Sequence, residues 1–195
     1  MTMPFGAALV AIGAAMQRLG IPWFVGSSVA SLVHGEIRTT QDVDIVLDIG
    51  KHQVDALVAE LEPDFYVDRV YVAEAVRTGT SCNVLHRTTG MKVDLFPLRA
   101  RAFSRAEMAR RTKVSLLPGV EPNVATAEDC LLTKLEWFEK GGRVSDRQWR
   151  DILGILKEQR GTLDVAYLRA WAKDLAVAGL LDLALQEAGD GPPEA

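Results

Sequence analysis

Apolar residues recur at helical spacing from the start of the chain. Leu9, Ile12, Met16 and Leu19 share one face of residues 5–19, and Gly20 ends the segment. Trp23-Phe24-Val25 is a short apolar run stopped by Gly26, which predicts a strand. Ser27 and Ser28 follow where a helix would begin. Residues 43–48 change to strict alternation. Val43, Ile45 and Leu47 point one way; Asp42, Asp44, Val46 and Asp48 point the other. Residues 51–61 return to helical spacing, with Val54, Leu57, Val58 and Leu61 inward, and Pro63-Asp64 stops them. Residues 68–77 are mixed: Val70, Val72 and Val76 favour a strand, Ala73, Glu74 and Ala75 a helix, and a short helix is the reading taken. Residues 81–87 and 91–96 predict a β-hairpin across Thr88-Thr89-Gly90. In its second strand Lys92, Asp94 and Phe96 share the face opposite Met91, Val93 and Leu95. A basic amphipathic helix is expected over 102–110, a short strand within 112–117, and a loop at Pro118-Gly119 and Pro122.

From Thr126 onward the pattern is helical. Thr126 through Asp129 is an N-terminal capping signature, after which Ala127, Leu131, Lys134 and Phe138 fall on one line with Leu135 beside it. Lys134 therefore interrupts an apolar stripe, either as a stem that packs while its amine reaches solvent or as a cation held for use. Gly141-Gly142 breaks the chain, and Ser145 with Gln148 caps a helix whose expected buried face is Trp149, Ile152, Leu153 and Leu156. Asp151 lies off that face one turn after Arg147, the spacing of a surface ion pair. Asp164 caps a helix with Leu168, Trp171 and Leu175 inward, and a last helix spans 178–188. The expectation is an α/β (α+β) fold: a small mixed sheet flanked by helices in residues 1–124, a helical subdomain in 125–190 and a disordered tail in 191–195.

Composition narrows the class. With 195 residues and 48% hydrophobic content, the chain can bury an ordinary core. A net charge of −4 gives no bulk attraction for nucleic acid, although Arg99, Arg101, Arg105, Arg110, Arg111 and Lys113 form one basic cluster, a solvated face or an approach for a nucleotide or an RNA backbone. Cys82 and Cys130 have no metal-ligand spacing and read as free thiols of a reducing compartment. Residues 5–16 are apolar like a signal-peptide core but are preceded by no basic residue, and no stretch is long enough to span a bilayer. A cytoplasmic protein without membrane partners is expected.

The candidate chemistry sits on the alternating strand. Asp42 and Asp44 lie on one face, two residues or roughly 6.6 Å of rise apart. Two carboxylates so close repel each other unless a cation lies between them. Hard divalent ions such as Mg²⁺ accept one or two carboxylates together with substrate phosphates. Gly26 and Ser27, at a strand-to-helix turn, offer a phosphate cradle. The combination points to metal-assisted phosphoryl or nucleotidyl transfer; without the turn, Asp-x-Asp would read as a solvated strand face.

The stretch GSSVASLVHGEIRTTQDVDIVLD resembles the signature of the polymerase-beta-type nucleotidyltransferase superfamily, with Gly-Ser, a short helix and Asp-x-Asp on the next strand. The Gly35…Arg38-Thr39-Thr40 lead-in is most similar to AbiEii-like (type IV toxin) nucleotidyltransferases, as is the segment from Glu128 to Lys157. The resemblance implies a third carboxylate on a later strand, here Asp94, completing a two-ion Mg²⁺ site with Asp42 and Asp44. It implies a nucleoside triphosphate at Gly26 and Ser27, with Lys134 and Arg38 neutralising the leaving pyrophosphate, and makes Asp151 a weaker site candidate. It also implies an acceptor hydroxyl on RNA, such as a tRNA end, or on a protein, and an antitoxin partner. A small-molecule acceptor, as in aminoglycoside-modifying members, and a nucleotide-binding module without turnover are the alternatives.

Overall fold

The computed structural model describes residues 4–26, 42–116 and 118–189. The expected helix start at Ser27 and Ser28 and the expected tail lie outside them. The chain divides into two compact units, whose described residues are 4–26 with 42–116 and 118–125, and 126–189.

The first unit is a seven-stranded mixed sheet with helices. Its elements are α1 (Pro4–Leu19), β1 (Trp23–Val25), β2 (Asp42–Leu47), α2 (Val54–Leu61, entered through a 3₁₀ turn, Lys51–Gln53), β3 (Phe65–Tyr66), α3 (Arg69–Thr78), β4 (Cys82–His86), β5 (Lys92–Pro97), α4 (Ala102–Arg110), β6 (Thr112–Lys113) and β7 (Asn123–Val124). The strand order is β3-β4-β5-β2-β1-β7-β6. β2 pairs parallel with β5 and antiparallel with β1, while β1 pairs parallel with β7.

Alternation decides which face is covered. Along β2 and β5 buried residues alternate with partly exposed ones. Val43, Ile45, Leu47, Val93 and Leu95 are essentially fully buried, together with Ile12 and Met16 of α1 and Leu57 and Leu61 of α2. Burying a set of this kind stabilises by about 1.5–3 kcal/mol per large side chain. The opposite face carries Asp42, Asp44, Lys92 and Asp94.

The mixed 68–77 segment is helical because its ends are. The Asp68 side chain accepts from the N–H groups of Val70 and Tyr71, and Gly79 closes the helix in the left-handed region at φ 70°. The hairpin forms as its alternation predicts, with His86 N–H bonded to Met91 C=O at 2.8 Å. The strand expected within 112–117 is short as a ladder, Thr112–Lys113, but hydrogen bonds from Val114 N–H to Pro122 C=O and from Leu116 N–H to Val120 C=O prolong it. Its partner β7, two residues long, has no periodicity to announce it.

The second unit holds α5 (Ala127–Lys140), α6 (Asp146–Glu158), α7 (Val165–Asp174) and α8 (Ala178–Ala188). Thr126, Ser145 and Asp164 cap the first three through side-chain oxygens. The buried faces are Leu131, Leu132 and Leu135 on α5, Ile152, Ile155 and Leu156 on α6, and Leu181 and Ala184 on α8. Trp149, expected inside, is only partly buried; it lies against Phe138 with ring centroids 5.1 Å apart and donates to Glu187 at 2.9 Å. Asp129 is fully buried yet satisfied, accepting from Thr126 Oγ1 at 2.9 Å and from the Tyr167 hydroxyl at 2.6 Å. Among the described residues no helix is long and apolar enough to cross a membrane.

Candidate active site

The parallel pairing of β2 with β5 sets Asp44 directly beside Asp94 and Asp42 directly beside Lys92. Residues paired across two strands share a face, so the three candidate carboxylates lie on one side of two central strands. Asn83 of β4 is the antiparallel partner of Asp94 and lies on the same rung. Gly26 extends that rung on the other side, because its N–H donates to the Asp44 backbone carbonyl at 2.8 Å. One row, over three strands and the residue that follows β1, therefore reads Gly26, Asp44, Asp94, Asn83.

Gly26 stands where a side chain would intrude. A Cβ placed on it would come within 3.3 Å of Asp44 Cβ, 3.6 Å of the Asp44 carbonyl oxygen and 3.7 Å of a Val46 methyl. The lack of a side chain leaves the approach to Asp44 clear. The Gly26 N–H faces the sheet, so it is not free to serve as a donor in the phosphate cradle expected at this turn.

Lys92 is the residue that the sequence pattern put on this face without giving it a role. Its Nζ donates to Asp94 Oδ2 at 2.7 Å and lies 3.6 Å from Asp42 Oδ2. The hydrogen bond to Asp94 and the charges of Asp94 and Asp42 hold the Lys92 ammonium above its ordinary pKa against partial desolvation. The signal was available: Lys92 precedes Asp94 by two residues, so alternation alone puts both on one face. Its reach to Asp42 was not visible, since that needs the strand pairing.

The carboxylates are right in kind for a hard divalent cation, being oxygen donors with no sulfur or imidazole among them. Among the described residues, however, no three His, Cys, Asp or Glu side chains converge so as to hold a metal ion. Between Asp42 and Asp94 the ammonium of Lys92 provides the cation. Beside this row, where β4 begins, Tyr71, Glu74, Ala75, Thr80, Ser81, Cys82 and Asn83 line an open cavity. Burial, and then the Asp94 charge, push the Cys82 thiol up to about 11.

Lys134 and Asp151, both in the second unit, find each other. Lys134 Nζ donates to Asp151 Oδ2 at 2.9 Å, and the two side chains are 8% and 12% exposed. Asp151 is thus no surface residue of an i,i+4 pair, and the Lys134 amine does not run out to solvent along its stem. The apolar stripe of α5 carries the lysine inward, and α6 supplies a carboxylate to meet it. Ser27 and Arg38 lie outside the described residues. In the basic cluster, Arg101 lies over the Phe103 ring at 5.3 Å and donates to Ser104 at 3.0 Å, and Arg111 donates to the Met108 carbonyl. Part of that cluster is therefore engaged locally.

No protein-family model matches the chain, and no curated protein matches it. Solved structures do. The antibiotic-resistance factor ANT(2'')-Ia in complex with adenylyl-2''-tobramycin superposes with a TM-score of 0.55 at 15% identity, over 88% of this chain and 98% of that one. The same factor in solution gives 0.54 at 14% identity, over 89% and 94%. An antigenic nucleotidyltransferase-like protein from Paracoccidioides brasiliensis gives 0.51 at 17% identity, over 87% and 89%. At these identities the likeness is one of fold: a mixed α/β, nucleotidyltransferase-like architecture.

Proposed function

We propose that the chain is a metal-dependent nucleotidyltransferase that moves a nucleoside monophosphate from a nucleoside triphosphate to an acceptor hydroxyl. The observation that carries this reading is the Asp44–Asp94 register pair, with Asp42 on the same face and the side-chain-free Gly26 beside it. Asp42, Asp44 and Asp94 would hold Mg²⁺, which when bound neutralises phosphate charge and acidifies the acceptor hydroxyl. Gly26 leaves room for a phosphate against Asp44, and the donors to that phosphate begin with Ser27. Asp94, whose side chain is 18% exposed against 40% for Asp42, takes the acceptor proton. The sequence resemblance, and not the fold, is what assigns Lys134 and Arg38 to the triphosphate charge.

Two acceptor classes follow from different grounds. An RNA end or a protein hydroxyl, with a cognate antitoxin and a toxin role, rests on the sequence resemblance. A small hydroxylated molecule is favoured by the fold likeness to ANT(2'')-Ia, whose structure contains adenylyl-2''-tobramycin and is covered over 98% of its length. The test is label transfer. Protein, Mg²⁺ and each α-labelled nucleoside triphosphate are incubated with total RNA or with tobramycin, in parallel with the double variant Asp42→Asn, Asp44→Asn. Label on RNA, on the protein or on tobramycin with the wild type alone establishes nucleotidyl transfer and the acceptor class. Equal label with the variant refutes the site, and nucleotide binding without any label leaves a binding module in its place.

A further inference from the structure

Lys92 stands on the carboxylate face, on the same rung as Asp42. It is the register partner of Asp42 and the i−2 neighbour of Asp94, and its ammonium contacts both. This inference rests on the metal-binding reading of Asp42, Asp44 and Asp94. We propose that Lys92 is the site's resident cation: it holds Asp42 and Asp94 together while no divalent ion is bound, and it must give up both carboxylates for one to enter.

The physical reason is charge. Three aspartates on two adjacent strands repel each other, and a fold carrying them needs positive charge close by. Lys92 supplies it from the rung it shares with Asp42, at hydrogen-bond distance from Asp94 and ion-pair distance from Asp42. A divalent ion wants those same oxygens, and an ammonium left beside it would be a like charge at close range. Lysine can yield: it is a compact charge on a flexible four-carbon stem, and this one is 43% exposed, with room to swing out. A triphosphate arriving with the metal offers the displaced ammonium a new anionic partner. Metal and nucleotide would therefore load together better than either loads alone, since the nucleotide compensates the ammonium that the metal evicts. Lys92 is a positioning residue in this scheme, acting through the carboxylates it holds.

The test reads metal affinity rather than turnover. Mn²⁺ binding to the full chain without nucleotide is followed by electron paramagnetic resonance of the free ion for wild type, Lys92→Met, Lys92→Gln, Lys92→Arg and the Asp42→Asn, Asp44→Asn double variant. Removing the charge in Lys92→Met should tighten Mn²⁺ binding about tenfold, as expected for relief of one like charge at a partly exposed site. Lys92→Gln should follow it, which covers the case that one variant folds poorly, and Lys92→Arg should bind as the wild type does. Melting without metal should fall for Lys92→Met and recover on adding Mn²⁺. If Mn²⁺ binding is lost in the aspartate variant but unchanged or weakened in Lys92→Met and Lys92→Gln, the resident-cation role is wrong while the metal site stands. If no variant and no wild type binds Mn²⁺, the metal reading fails and this inference fails with it.

Discussion

Removing either partner of the Lys134–Asp151 pair should destabilise the second unit strongly, and removing both should restore most of the loss. At 2.9 Å, with an effective dielectric constant near 20, the attraction is about 6 kcal/mol. Desolvating the two ions, 8% and 12% exposed, costs several kcal/mol each and cancels most of that gain. The pair is therefore worth little net, yet removing one member leaves the other its desolvation cost with this ionic contact gone. Lys134→Met, which preserves the stem volume, and Asp151→Leu should each cost about 3–5 kcal/mol. For a chain of this size that is a fall in melting temperature of about 10 °C. The double variant Lys134→Met, Asp151→Leu should lie within about 1.5 kcal/mol of the wild type, because an apolar pair of similar volume suits the interior. The assay is urea unfolding followed by tryptophan fluorescence, and three of the four tryptophans, Trp137, Trp149 and Trp171, lie in the second unit. Single variants within about 0.5 kcal/mol of the wild type, or a double variant as unstable as the sum of the singles, would refute the reasoning.

Two further outcomes follow from the first unit. Gly26→Ala places a methyl 3.3 Å from Asp44 Cβ at a position without positive φ, so Asp44 must shift by a few tenths of an ångström while the backbone stays unstrained. Label transfer should fall about tenfold or more while stability changes by less than about 1 kcal/mol, and a variant with full activity would show that the clearance over Asp44 is not used. The Cys82 thiol, raised from 9.0 to about 11 by burial and by Asp94, should react with iodoacetamide only slowly at pH 8, its rate rising toward pH 11. The linkage sign follows: the folded state holds this proton more tightly than the unfolded chain, so its contribution to stability is intact below pH 9 and drains away as pH climbs toward 11. A Cys82→Ser variant should lose that part of the alkaline destabilisation, as read from urea midpoints at pH 8 and pH 10.5.

The elements themselves were largely legible in the chain. Strict alternation over residues 43–48 and 91–96 predicted two strands with the aspartates on the less apolar face, and both are so. Helical spacing and capping residues predicted α2, α5, α6 and α7 because those signals are local: a cap or an i,i+4 neighbour lies within one turn. Residues 68–77 were ambiguous by propensity and read as a short helix, and the helix Arg69–Thr78 is held by the Asp68 cap and the Gly79 exit. β7 was invisible because two residues carry no period.

What joins those elements was not written in any local pattern. Nothing in residues 42–47 says that β5 rather than another strand lies alongside in parallel, yet that pairing is what brings Asp44 to Asp94 and Lys92 to Asp42. Lys134 and Asp151, 17 positions apart, likewise form a buried ion pair, where local spacing left the lysine open between a snorkelling stem and a cation held for use and read the aspartate as a surface residue. Each of these contacts is bought with the loop-closure entropy of a long segment and repaid by burial elsewhere in the unit. Side-chain period tells which way a residue points from its own backbone. Which residue it then meets depends on strand order and helix packing, and these follow from the burial of the whole set of apolar faces at once.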